Sequence, residues 1–238
     1  MASWSLGKLV ILTIVGSVTL ELLYYTWNYF KRNHRHKHGK TKPKQQQKNI
    51  FHNVLFFPDQ HIACKEHFNS SDGCLRSGCK YAHSETSLTH MLSYLRSARK
   101  TLDLCVFVIT CHELSDTVIA LHERGVTVRV ITDDEQVDIT GSKIGAFRAA
   151  GIQVRQDRSS YLMHHKFALI DEDVLINGSF NWTRQAVTGN NENLLITNSR
   201  DIVQPYIEEF ERLWEQFDPR NYKCLPHTNS DQIHQAIS

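Results

Sequence analysis

Net charge is nearly absent from this chain. Its 238 residues hold 27 Lys and Arg against 25 Asp and Glu, a balance of +2. No acid occurs from Lys31 to Lys48, a stretch with eight Lys or Arg; without it, 19 basic residues face 25 acidic ones, leaving −6. A folded part of that sign has no global field to attract nucleic acid, so any such binding needs a local basic patch. Cysteine is sparse as well: Cys64, Cys74, Cys79, Cys105, Cys111 and Cys224. Three of them lie close together with a histidine. That spacing suits a metal site in a reducing compartment and speaks against a disulfide framework. Cys105 sits in an apolar run, as a small core residue does. The chain has no internal repeat, and no small-residue cleavage site follows its one long apolar segment.

That segment, Leu9 to Phe30, has 22 residues. About 20 are needed to span a bilayer. Tyr24, Tyr25, Trp27 and Tyr29 would sit at the interface. Glu21 is its flaw, costing about 2.5–3.5 kcal/mol within a span. A cleaved signal peptide and an interfacial helix are the alternatives. The missing cleavage site and the basic stretch that follows favour an uncleaved anchor. Only Lys8 precedes the span and eight basic residues follow it, which places the C-terminal bulk in the cytosol. The expected organisation is a tail over 1–8, a transmembrane anchor over 9–30, a basic linker over 31–50, a catalytic domain over 51–225 and a flexible tail over 226–238. The linker cannot fold alone, but it can be drawn to anionic headgroups.

From about Val54 to Cys224, strand and helix patterns alternate. Helices are expected at Thr86–Arg99, at Ser115–Arg124 with Ser115 as its cap, at Lys143–Ala150, and at Asp201–Gln216 with Ile202, Tyr206, Phe210 and Leu213 inward. Strands are expected at Leu102–Ile109, Val126–Thr132, Phe167–Ile170, Val174–Asn177 and Leu194–Thr197. This order predicts an α/β sandwich with helices on both faces of a mixed sheet.

Residues 164–171 read His-His-Lys-Phe-Ala-Leu-Ile-Asp, an H-x-K followed by four residues and Asp; Gly178-Ser179-Phe180-Asn181-Trp182 and then Glu192 come after it. Side chains two apart on a strand share a side. His164 and Lys166 should therefore project together, with Phe167 and Leu169 turned into the core. An ammonium beside an imidazole suits a phosphodiester: one holds the anionic oxygens and the other attacks phosphorus. Asn181 can donate to another phosphate oxygen, and Glu192 can fix the tautomer of a histidine. His165 points the other way and should be packed.

HxKxxxxD followed by GSxN resembles the phospholipase D superfamily, and the single motif, anchor and small size resemble its Zucchini group. The resemblance implies a phospholipase D-like fold over about 50–225. It makes His164 the nucleophile of a phosphohistidine intermediate, with the same histidine of a second subunit as the acid. Lys166, Asn181 and Ser179 would form the phosphate pocket and Glu192 would orient His164, while Asp171, last in the motif, is structural. One motif per chain then requires a homodimer, most simply a twofold one. No catalytic metal is implied. The group's setting would be the mitochondrial outer membrane with the domain facing the cytosol, and its substrates would be cardiolipin, cleaved to phosphatidic acid, or single-stranded RNA in piRNA production.

Cys64, Cys74, Cys79 and His83 resemble a CCCH zinc finger over 64–83. Three thiolates and an imidazole suit structural zinc; His61 or His67 could replace His83. Tyr81 and Phe68 could stack on bases. A groove of Lys143, Arg148, Arg155 and Arg158 would favour RNA, and a wide apolar mouth would favour lipid. An inactive tethered scaffold and a zinc-finger RNA-binding module are the non-enzymatic readings.

Overall fold

A computed structural model describes residue 26, residues 49–158 and residues 161–221. The expected anchor (apart from Thr26), the basic linker up to Lys48, the C-terminal tail and Cys224 lie outside the described residues. Among the described residues no helix is long and apolar enough to cross a membrane.

One seven-stranded mixed sheet organises residues 50–221. Its strands are β1 (His52–Phe57), β2 (Thr101–Val106), β3 (Thr127–Thr132), β4 (Gln153–Gln156), β5 (Lys166–Ile170), β6 (Val174–Gly178) and β7 (Glu192–Thr197). Their spatial order is β1-β7-β6-β5-β2-β3-β4. The β2–β3 and β3–β4 pairs are parallel and the others antiparallel. Helices α1 (Lys65–Asn69), α2 (Ser87–Arg96), α3 (His112–Glu123), α4 (Ile144–Ala149), α5 (Arg184–Thr188) and α6 (Arg200–Gln216) are interspersed among the strands; α1 and α5, one short turn each, were not anticipated. Leu88, Met91, Leu95, Leu114, Val118, Phe147 and Ala186 pack on one face of the sheet, against Leu102, Leu104 and Ala168. On the other face α6 lays Val203, Phe210, Leu213 and Trp214 over Cys105, Phe167, Leu169 and Leu175. Successive residues of a buried strand feed opposite cores, which is why β2 and β5 read as continuous apolar runs.

Several expectations need correction. Helix α3 starts a turn earlier than Ser115: Cys111 is its N-cap, and Ser115 is buried inside, its hydroxyl donating to the His112 carbonyl. On α6, Ile202 is exposed and Val203 takes the inward place. Strands β1 and β4 were not anticipated: β4 is four residues with one apolar side chain, and β1 opens on the polar pair His52 and Asn53. Thr86 is the N-cap of helix α2, its hydroxyl and that of Thr89 forming a reciprocal capping box, and the helix ends at Arg96, short of the expected Arg99. Asp103, buried in β2, receives two bonds from Arg129 of β3 (2.7 and 2.8 Å), and Arg129 also reaches Glu211 of α6. That network ties the helix to the sheet.

Candidate active site

The expected chemistry gathers at one end of the sheet, where β5 and β7 begin and β2 and β6 finish. His164 lies just ahead of β5, which starts at Lys166. The ladder extends one residue toward it: the Phe107 N–H donates to the His165 carbonyl (2.9 Å), continuing the β2–β5 pairing. The alternation of an extended chain therefore holds. His164 and Lys166 both meet the ring of Phe107, the imidazole at 4.7 Å between centroids and the ammonium at 5.2 Å. His165 faces the other way, edge-on to Phe167 and 3.5 Å from Glu209 of α6. Lys166 Nζ donates to the His164 carbonyl (2.8 Å). Burial pulls the lysine below the usual ammonium range, and the carboxylate of Glu192 opposes that shift.

The GSFN segment is fixed beside this pair at both of its ends. A Cβ on Gly178 would lie 1.9 Å from the carbonyl oxygen of Asn193, so only glycine lets β6 approach β7 there. Phe180 is fully buried against Phe57, with centroids 4.3 Å apart. The Trp182 carbonyl accepts the N–H groups of Thr110 (2.9 Å) and Cys111 (2.8 Å), and its own N–H donates to Val108 (3.2 Å). Asn181 stands between these two anchors. Its Oδ1 is buried and has no hydrogen-bond partner among the described residues, a state uncommon for a buried polar atom.

Ser179 donates to Glu192, and the Asn190 amide donates to the other carboxylate oxygen (3.0 Å). Within one chain, then, Glu192 braces Ser179, and the expected bond to His164 is not among its contacts. Asp171 stands apart from the site. It ends β5 at the opposite edge of the sheet, roughly 16 Å from Lys166 at the rise of an extended strand. Its carboxylate accepts the backbone N–H groups of Arg99 (3.0 Å), Lys100 (2.7 Å) and Thr101 (2.9 Å). Burial alone would raise this carboxyl; the donors from Thr101, Lys100 and Arg99 outweigh it and hold the group below the usual carboxylate range. Sequence reasoning missed Phe107, Asn190 and the stapling role of Trp182. None carries a local signal, because each acts through a contact distant in sequence.

The second cluster is real in space. One ligand atom from each of Cys64, Cys74, Cys79 and His83 lies within 4.8 Å of the others. The sulfurs of Cys64 and Cys79 are 3.8 Å apart, and two thiolates on a tetrahedral zinc stand about 3.8 Å apart, given Zn–S bonds of about 2.3 Å. Three soft sulfurs and an imidazole fit zinc with no open position. His67 stacks on His83 (4.7 Å, 8°) and backs the cluster. Three of the four basic residues expected to line an RNA groove contact neighbours on different elements. Arg155 is bonded to Asp218 (2.8 Å) and lies over Trp214. Arg148 donates to Gln156 (2.7 Å), and Lys143 meets the ring of His112 (3.0 Å).

Residues 91–214 match the family described as cardiolipin synthase, PLD-like domain. A mitochondrial cardiolipin hydrolase of Chlamydomonas reinhardtii is 50% identical over 164 residues, 69% of this chain and 73% of the relative. The chain belongs to the phospholipase D superfamily, in the mitochondrial cardiolipin hydrolase group. The human protein of that name is 41% identical over 216 residues, 88% of this chain and 80% of the relative. Among solved structures, the phospholipase D family member Nuc of Salmonella typhimurium aligns with a TM-score of 0.55 at 22% identity, over 71% of this chain and 97% of its own. NucT of Helicobacter pylori aligns at 0.54 and 20% identity, over 70% and 97%. At those identities the likeness establishes the phospholipase D fold. With the family match, this chain is a phospholipase D-type hydrolase.

Proposed function

We propose that this phospholipase D member hydrolyses cardiolipin through a phosphohistidine. The observation that carries the reading is the shared projection of His164 and Lys166 onto Phe107, beside a GSFN segment pinned at both ends. A nitrogen of His164 attacks phosphorus, and the bond to the leaving alkoxide breaks. The alkoxide takes a proton from the partner subunit's His164. Water then attacks the phosphohistidine, gives its proton to the partner's His164 and releases phosphatidic acid. Lys166 and Asn181 hold the non-bridging oxygens, and Ser179, braced by Glu192, supports that pocket. Asp171 keeps β5 in place from the far end. The assembly is a homodimer, since one chain supplies one such histidine. The basic linker and the anchor hold the domain at the mitochondrial outer membrane, facing the cytosol. The relatives named mitochondrial cardiolipin hydrolase support the substrate and the compartment. Zinc on Cys64, Cys74, Cys79 and His83 would serve as a clip ahead of α2.

A second reading, cleavage of single-stranded RNA by the same residues, is favoured by the exposed Phe68 and Tyr81 within the Cys-His segment, which offer stacking faces. The test gives full-length wild type and His164→Asn labelled cardiolipin vesicles and labelled single-stranded RNA in parallel, with chelator present. Phosphatidic acid from wild type alone is the expected result. Cleavage of RNA alone transfers the mechanism to the nuclease. A dimer silent on both is the tethered scaffold.

A further inference from the structure

A cavity of about 340 Å³ lies outside the catalytic end, between the segment of α1 and the outer sides of α2 and α3. That volume is within the range of small-molecule sites, about 300–1,000 Å³. Its apolar lining is Ile62 and Phe68 from the Cys-His segment, Leu88 and Leu92 from α2, and Ala120 and Leu121 from α3. Thr89, Asp116 and Thr117 also face it, and Lys65 is paired with Glu113 (3.8 Å). Along α3 it extends from Glu113 to Arg124, roughly 16 Å at the rise of a helix. Ala120 lies midway and is exposed. Its single methyl leaves the groove open where a longer side chain would fill it.

The two ends differ. Glu113 closes one end and is bonded to Arg184 (2.8 Å). Arg96 and Arg124 lie at the other, both exposed. Arg124 donates to the backbone carbonyl of Arg96 (3.4 Å), which brings the two residues together, and neither makes an ion pair among the described residues. Both arginines line this end of the groove, and an anionic head seated there could accept from either side chain. Asp116 sits about 12 Å back along the helix from Arg124, too far to serve.

We infer that this groove binds one long-chain fatty acid, with its carboxylate on Arg96 and Arg124 and its chain laid between α2 and α3 under Ile62 and Phe68. The apolar middle takes methylenes, the cationic end takes a single anionic head, and the volume holds one chain. The head lies at the end of the groove away from Glu113 and the GSFN loop, so the ligand is an accessory lipid and its site is separate from that of the hydrolysed phosphodiester.

The experiment photo-crosslinks the full-length chain with palmitate carrying a diazirine on its alkyl chain, followed by peptide mapping. Label is expected on peptides holding Leu92 or Ala120, and unlabelled palmitate should compete while hexadecanol does not. Ala120→Trp should lower labelling about tenfold by filling the groove. Arg96→Gln with Arg124→Gln should lower it by at least about tenfold, the equivalent of one charge-assisted bond. The double variant alters only exposed side chains and keeps the test valid if the tryptophan fails to fold. Label elsewhere or without saturation overturns the inference. So does equal competition by hexadecanol, or labelling that survives both variants. A change of oligomeric state in Ala120→Trp without any palmitate labelling would assign the groove to a protein partner and overturn it as well.

Discussion

Strand β5 has one motif along its length and two opposite kinds of end. At its start, His164 and Lys166 both meet the ring of Phe107, and the Lys166 ammonium donates to the His164 carbonyl. At its finish, Asp171 is nearly saturated by three successive backbone N–H groups. The first end makes few bonds, which suits the phosphate pocket we propose there. The second is overbonded and holds the start of β2 against the finish of β5. The last letter of the motif therefore secures the strand that carries the first two.

If the comparison is right, breaking either end has a different readout. The largest effect belongs to His164→Asn, which should lower turnover by at least about 10³-fold, as loss of a nucleophile does, with a melting temperature close to wild type. Mixing it in excess with wild-type chains should reduce activity per wild-type chain in proportion to the wild-type fraction. Activity per wild-type chain that stays constant would show that each chain works alone. Next is Gly178→Ala. A methyl 1.9 Å from the Asn193 carbonyl must push β6 from β7. Overpacking of this kind costs about 3 kcal/mol, or about 6–12 °C of melting temperature for a domain of this size. Calorimetry that finds no change would mean that the two strands separate easily.

Asp171→Asn should do the reverse of His164→Asn. Stability should fall by about 1–2 kcal/mol, the worth of hydrogen bonds to a partly solvated charge, while the activity of the folded fraction stays near wild type. Because this carboxyl is held below its usual range in the fold, its contribution is present above about pH 4 and is lost as pH falls through the lowered value. Denaturant titrations of wild type and variant should converge in acid and separate toward neutral pH. Curves that stay parallel down to the lowest pH would remove the charge from the explanation.

The same contrast explains what could be read from the chain. The shared side of His164 and Lys166 was legible because it is local: strand alternation sets it from a fixed offset, and a short loop sets the spacing of Ser179 and Asn181. The Cys64, Cys74, Cys79 and His83 cluster was legible for a similar reason, since ligand spacing is itself the signal. The sandwich followed from alternating periodicities. What escaped depends on distant partners. Glu192 looked like a tautomer-fixing carboxylate, yet its bonds go to Ser179 and Asn190. Phe107 supports both reactive side chains from a neighbouring strand, and nothing in its surroundings marks it. Arg155 looked available for a phosphate, but a carboxylate 63 positions away claims it. Ser115 looked like a cap because its type favours caps, whereas the backbone turned at Cys111.

The smallest expected effect tests the start of β5 directly. Lys166 is partly buried, and that burial draws its ammonium below the ordinary lysine range against the opposing pull of Glu192. An ammonium holds phosphate only while protonated. Activity should therefore fall on the alkaline side as pH rises through this lowered value, before an ordinary lysine near 10.4 would lose its proton. The limb belongs in kcat/KM, which reports the free enzyme; bound phosphate would pull the proton affinity back up and hide it in kcat. Lys166→Arg keeps a positive charge throughout that range. Its kcat/KM should be lower overall, since a planar fork replaces a point charge, but the alkaline limb should disappear. A limb that persists unchanged in the arginine variant would belong to another group, and the burial of Lys166 would then have no part in the pH dependence.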